Sequence, residues 1–152
     1  MKNQIIIATF FFTFNCFAGM NTEDALISEQ PTSHPVIVVH GGAGWSHGTS
    51  DEKQHAIKSG LKKALDTGFS ILQSGGSSLD AVEAAIVILE DNPVFNAGRG
   101  SVYTAEEKQE MDASIMSGND QDAGAVASVS RVKNPIKLAR YIMEHTEHVM
   151  MA

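Results

Sequence analysis

Cysteine is nearly missing from this chain: its 152 residues include one, Cys16. Everything after that position has no disulfide and no thiolate ligand, so folding there rests on a packed core alone. Positive charge is also scarce. Eleven lysines and arginines against 18 acids leave a formal charge of -7, which argues against nucleic acid as a partner. No long apolar run occurs; the best stretch, residues 5–14, is too short to span a bilayer comfortably, so no membrane partner is expected. Common catalytic signatures are absent too. There is no HExxH or Cys/His ligand spacing and no G-x-S-x-G elbow. The HGGAG stretch at residues 40–44 lacks the Gly-Lys-Ser/Thr ending of a P-loop, because Trp45 and Ser46 follow Gly44. His47 stands where a dinucleotide fingerprint needs its third glycine. No organic cofactor is expected.

The first residues present a targeting pattern. Lys2 precedes the apolar stretch, and Cys16-Phe17-Ala18 offers a small-x-small cleavage site, so residues 1–18 read as a signal peptide and the protein as exported, periplasmic or secreted. Thr13-Phe14-Asn15 before Cys16 does not suit a lipoprotein acceptor. Cleavage would remove Lys2 and no acid, shifting the charge to about -8. Residues 19–34 are a polar leader, and residues 35–152 form one domain of ordinary hydrophobicity.

Within that domain, residues 35–39 are a continuous β-branched run, the pattern of a strand buried on both faces. Ser50 or Asp51 can cap a helix to about Gln73, with Ile57, Leu61, Ala64, Leu65, Phe69 and Leu72 on one stripe. Gly75 and Gly76 end it. Ser77 with Asp80 starts a second helix whose Ala81, Val82, Ala85, Ile86 and Leu89 face inward. Residues 101–104 and 111–117 predict a hairpin across a charged turn, with Met111, Ala113 and Ile115 on one side. Residues 123–129 form a strand of small residues, and a third helix opens with Asn134 as cap and Pro135 at its first position, burying Ile136, Ala139 and Ile142 or Met143. Residues 148–151 begin another strand. This order predicts layered α+β.

The segment LEDNPVFNAGRG, residues 89–100, is the costliest part. One proline, two glycines and two asparagines force repeated turns and leave carbonyls without regular partners. Several carbonyls pointing inward would suit a hard cation better than any side-chain set here, since Asp112, Asp120 and Asp122 serve more simply as turn residues. His40 alone reads as a hydrogen-bonded structural histidine.

Taken together, VIVVHGGAG (36–44), GGSSLDAVEAA (75–85), LEDNPVFNAGRGSV (89–102), EMDASIMSG (110–118), AGAVASV (123–129) and NPIKLAR (134–140) closely resemble the plant-type isoaspartyl peptidase/L-asparaginases, which are N-terminal-nucleophile hydrolases. The match runs in one register from about residue 35 to residue 151. Glycosylasparaginases lack the His-Gly-Gly opening, and taspases share only several of the motifs.

The resemblance implies a four-layer αββα sandwich, incomplete in these residues, made as a precursor that cuts itself into α and β subunits. The β subunit begins with a threonine whose hydroxyl attacks the amide or isoaspartyl carbonyl while its α-amino group takes the proton. Oxyanion donors assist, and water then releases aspartate. Neither Thr104 nor Thr146 lies in the Gly-Thr-Val-Gly context expected of that nucleophile. No catalytic residue maps here; support does. Asn96 matches the asparagine beside the nucleophile, and His40, Gly41 and Gly42 match the loop linked to self-cleavage. The carbonyls of Leu89, Glu90, Asn92, Phe95, Ala97 and Arg99 match a sodium-binding loop, with Arg99 bulkier than expected. The implied partners are a β subunit of the same precursor, a small amide or β-aspartyl dipeptide substrate, and a second αβ unit in a dimer. The chain alone is expected to be inactive. The alternative is a non-catalytic remnant or subunit-binding protein whose open sheet edges favour aggregation.

Overall fold

A computed structural model describes residues 34–41 and 49–152. The expected signal peptide, the leader up to residue 33, and Gly42 lie outside the described residues. Three helices and a three-stranded sheet make the described part α+β, as the order of elements predicts.

Helix α1, Asp51–Gln73, starts at Ser50, whose Oγ accepts the Lys53 N–H at 3.4 Å, with Asp51 and Glu52 complementing the helix dipole. It stops where Gly75 takes a left-handed φ of +82°. Helix α2, Ser78–Glu90, is capped by Ser77, whose Oγ accepts the Asp80 N–H at 3.0 Å. The two pack through small residues. A Cβ at Gly68 would crowd the Ala81 carbonyl oxygen at 2.8 Å and meet Ala85, so glycine there permits the close approach. Ile57, Ala64, Ala85, Leu89 and Phe95 form the core of this half. Val82, expected inside, is 38% exposed, because the buried stripe of α2 follows Ala81, Ala85 and Leu89 at four-residue steps and places Val82 beside it.

The run at residues 35–39 departs from expectation. It forms no ladder with any strand among the described residues, and it is covered on one side only. Ile37 and Val39 pack on the helical core, whereas Val36 is 80% and Val38 85% exposed. In extended backbone alternate residues face opposite ways, so a uniformly apolar run cannot reveal from its composition whether both faces are covered.

Strand β1, Met111–Met116, pairs antiparallel with β2, Ala123–Val129, in the register Ile115↔Gly124 and Ala113↔Val126. The ladder slips between Met111 and Ala113; there Ser128 has φ +54° and donates its N–H to Asp112 Oδ1 at 2.8 Å, as in a bulge. Strand β3, Met150–Met151, lies parallel to the other edge of β2. The expected hairpin between residues 101–104 and β1 shrinks to one bridge, Tyr103↔Gln109, closed by Thr104 N–H to Lys108 O at 2.8 Å. Alternation along β1 fixes its inner face but not its neighbour, and β2 supplies the longer ladder.

Helix α3, Pro135–His145, covers one face of the sheet, burying Ile136, Ala139 and Ile142 against Ile115 and Val126, with Met143 only partly buried. Any Cβ at Gly124 would overlap the Ala139 carbonyl, which explains a glycine in mid-strand. Among the described residues no helix is long and apolar enough to cross a membrane.

Candidate active-site loop

The segment leaving α2 is turned by its own side chains. Asn92 Oδ1 accepts the Val94 N–H at 3.1 Å, and the Phe95 N–H reaches the Asn92 carbonyl at 3.2 Å. This reversal drives Phe95 into the helical core. Its ring takes the space that side chains at Gly60 and Gly41 would fill: a Cβ at Gly60 would stand 2.6 Å from Phe95 Cε2, and one at Gly41 3.0 Å from Cε1. Asn96 then emerges at the surface, its amide plane fixed by the Val102 N–H donating to Oδ1 at 3.0 Å. A short 3-10 turn, Gly98–Gly100, follows. Gly98 has φ +51° and lies against the carbonyl end of α2, where a Cβ would be 2.5 Å from the Glu90 oxygen. A Cβ at Gly100 would overlap the Phe95 carbonyl. The loop thus folds back on itself, and its backbone oxygens gather around glycines.

Of the carbonyls singled out, those of Leu89, Asn92 and Ala97 accept turn hydrogen bonds from Asn92, Phe95 and Gly100. Those of Glu90 and Phe95 line the glycine cradle just described, and the Arg99 side chain is exposed. Neutral carbonyl oxygens of this kind suit a hard, weakly charged cation. Among the described residues no group of three His, Cys, Asp or Glu side chains could hold a metal, so a cation in this loop would depend on backbone oxygens.

A cavity of about 240 Å³ is lined by His40, Gly41, Ile86, Leu89, Phe95, Asn96 and Ala97. It brings together residues separated by more than fifty positions: the exposed His40 and the half-buried Gly41 from one motif, Asn96 from the other. Beside it, a polar cavity of about 290 Å³ includes Asn96, Glu90, Ser101, Glu110 and Asp112.

Electrostatics in this region centre on the end of α2. Glu90 is 3% exposed, and its Oε1 accepts the Ile136 N–H at 3.0 Å. Burial pushes its carboxyl above the usual range, opposed by the Ile136 N–H and the Asn134 amide. Asp91 is held low by Lys133 at 3.0 Å and the Asn134 amide at 3.1 Å. Arg140 ties α3 to α2, meeting Asp80 at 2.7 Å and Glu83 at 2.9 Å, and also Glu144 at 2.7 Å.

Residues 33–152 match the Asparaginase family. The chain belongs to the asparaginase family. It is 50% identical over 118 residues to a bovine (Bos taurus) isoaspartyl peptidase/L-asparaginase, covering 78% of this chain and 38% of that relative. The human (Homo sapiens) isoaspartyl peptidase/L-asparaginase is 48% identical over the same shares. The plant-type L-asparaginase of Pyrococcus furiosus is 53% identical over 115 residues, 76% of this chain and 37% of the relative. The chain therefore spans under two fifths of the length of these curated relatives.

His40, Gly41 and Asn96, expected from the sequence of this asparaginase-family chain, line one cavity, whereas the Glu90 carboxylate and the Arg140 cluster were not among the expected residues. A partial signal was present in the lack of an acid in the first turn of α3; that Asn134, expected as its cap, makes no side-chain capping bond shows only in the structure, where Glu90 Oε1 accepts the Ile136 N–H.

Proposed function

We propose that this chain is the α part of an isoaspartyl peptidase/L-asparaginase, acting on L-asparagine and β-aspartyl peptides through an N-terminal threonine supplied by residues outside 1–152. The observation that carries the reading is the convergence of His40, Gly41 and Asn96 on one cavity, within a chain about half identical to enzymes of that name. In this scheme the threonine hydroxyl attacks the side-chain carbonyl, its freed α-amino group accepts the proton, and ammonia or an amine leaves before water releases aspartate. Asn96, held rigid by Val102, orients the amino group and hydroxyl. The His40–Gly41 loop borders the point of self-cleavage.

The proposal extends to the surroundings. Carbonyls of Leu89, Glu90, Asn92, Phe95, Ala97 and Arg99 would hold a structural sodium ion, which supplies charge to fix the loop and takes no chemical step; the glycine cradle and its neutral donors fit that ion. The sheet would become the inner layer of a four-layer αββα sandwich when a β subunit covers its open face, and αβ units would pair as dimers. Export through residues 1–18 completes the reading.

The test is an assay of ammonia release from L-asparagine and of β-aspartyl dipeptide cleavage. It would use the 152-residue chain alone and the chain fused to the complementary segment of a relative. We expect no turnover from the first, and self-cleavage followed by hydrolysis from the second. Turnover by the chain alone would refute the assignment of the nucleophile; an intact, inactive fusion would favour a non-catalytic remnant.

A further inference from the structure

Glu90 faces two parts of the fold at once. Its backbone carbonyl lies against Gly98 inside the glycine cradle. Its side chain ends on α3, where Oε1 accepts the Ile136 N–H across 46 positions of sequence. Because Asn134 makes no side-chain cap and α3 has no acid in its first turn, this buried carboxyl takes the cap's place on the Ile136 N–H, while Asp91 holds the Asn134 amide beside it. Its second oxygen, Oε2, has no hydrogen-bond partner among the described residues, and Glu90 lines a cavity together with Ala97, Asp112 and Ile136. Ala97 is itself one of the loop carbonyl donors.

We propose that Glu90 is a positioning residue that couples cation occupancy of the 89–100 loop to the N-terminus of α3. This rests on the sodium reading above. A cation drawing on the Glu90 and Ala97 carbonyls fixes the backbone of the last turn of α2, and with it the direction of the Glu90 Cα–Cβ bond. The carboxylate is then held ready for the Ile136 N–H. Coupling is reciprocal, so a capped α3 also holds the Glu90 carbonyl in place for the ion. Through Ile136, Ala139 and Ile142 the same tie reaches the sheet, and the loop that presents Asn96 is braced from both halves of the fold.

Residue-level hydrogen exchange on the 152-residue chain, in sodium chloride and in choline chloride of equal ionic strength, tests this. In the wild type, sodium should slow exchange of the Phe95 and Gly100 amides and, about tenfold, of the Ile136 amide. Glu90→Gln, which keeps the acceptor oxygen, should retain the effect at Ile136. Glu90→Ala should lose it there while the loop amides still respond; if that variant does not fold, Glu90→Asp, one methylene shorter, carries the same expectation. A merely structural Glu90 would lower Ile136 protection equally in both salts. Persistence of the sodium effect at Ile136 in Glu90→Ala or Glu90→Asp would overturn the coupling, as would a wild type whose loop responds while Ile136 does not. A wild type with no sodium response at the loop would overturn the sodium reading, and the coupling with it.

Discussion

The two halves of this molecule solve burial differently. The helical half packs α1 and α2 on Ile37 and Val39, leaving Val36 and Val38 exposed at its rim: glycines let the helices touch, and Phe95 plugs the remaining space. The sheet half is covered on one face by α3 and open on the other, where Ser114 and Met116 are exposed and Met150 is 64% exposed. One half is a helix-on-helix core with an extended segment on its rim, the other a sheet layer with one bare face. The contrast teaches that exposed apolar residues of this size on extended chain are a docking face or a liability wherever they fall.

Substitutions can break or sharpen the contrast. Phe95→Ala should have the largest effect, about 4 kcal/mol lost in urea unfolding, because it empties the plug of the helical half. Ile142→Ala, buried under α3, should cost about 3 kcal/mol by the same measurement. If Phe95→Ala were the milder of the two, the helical half would not be the better-closed one. Gly98→Ala should cost about 1 to 2 kcal/mol, since its left-handed backbone abuts Glu90. Val38→Ser should change stability by less than about 0.5 kcal/mol yet reduce light scattering on concentration, because its side chain meets solvent. The smallest effect belongs to Asp80. Ser77 and Arg140 hold its carboxyl below the ordinary 3.8, so its contribution is present above that value and fades as pH falls through the lowered one. Asp80→Asn should lower stability slightly at pH 7, where that contribution is present, and flatten the loss on acidification below about pH 4 in pH-dependent melts.

Helices α1, α2 and α3 and strands β1 and β2 were readable because their signals are local. Ser50, Ser77, Gly75 and Pro135 mark the ends, and periodicity marks the faces. What escaped was set at a distance. Whether residues 35–39 are covered twice depends on layers their own composition does not encode, and the partner of β1 was decided by a strand beyond the next turn. The site divides the same way. The motifs carrying His40, Gly41 and Asn96 were visible, and the fold brings them to one cavity. The Glu90 cap joins positions 46 apart, and nothing in residues 89–92 announces Ile136 as its donor.

Phe95 has a consequence for proteolysis. A protease must draw a segment out of its fold before cutting it, and exposed turns usually yield at little cost. Here the exposed Asn96 stands beside a ring seated over Gly60, so pulling the loop free opens the helical core. Cutting at this loop should therefore follow the population of globally unfolded chains, while the exposed charged turn at Thr104 to Lys108, held by one β-bridge and hydrogen bonds local to the turn, should be nicked first.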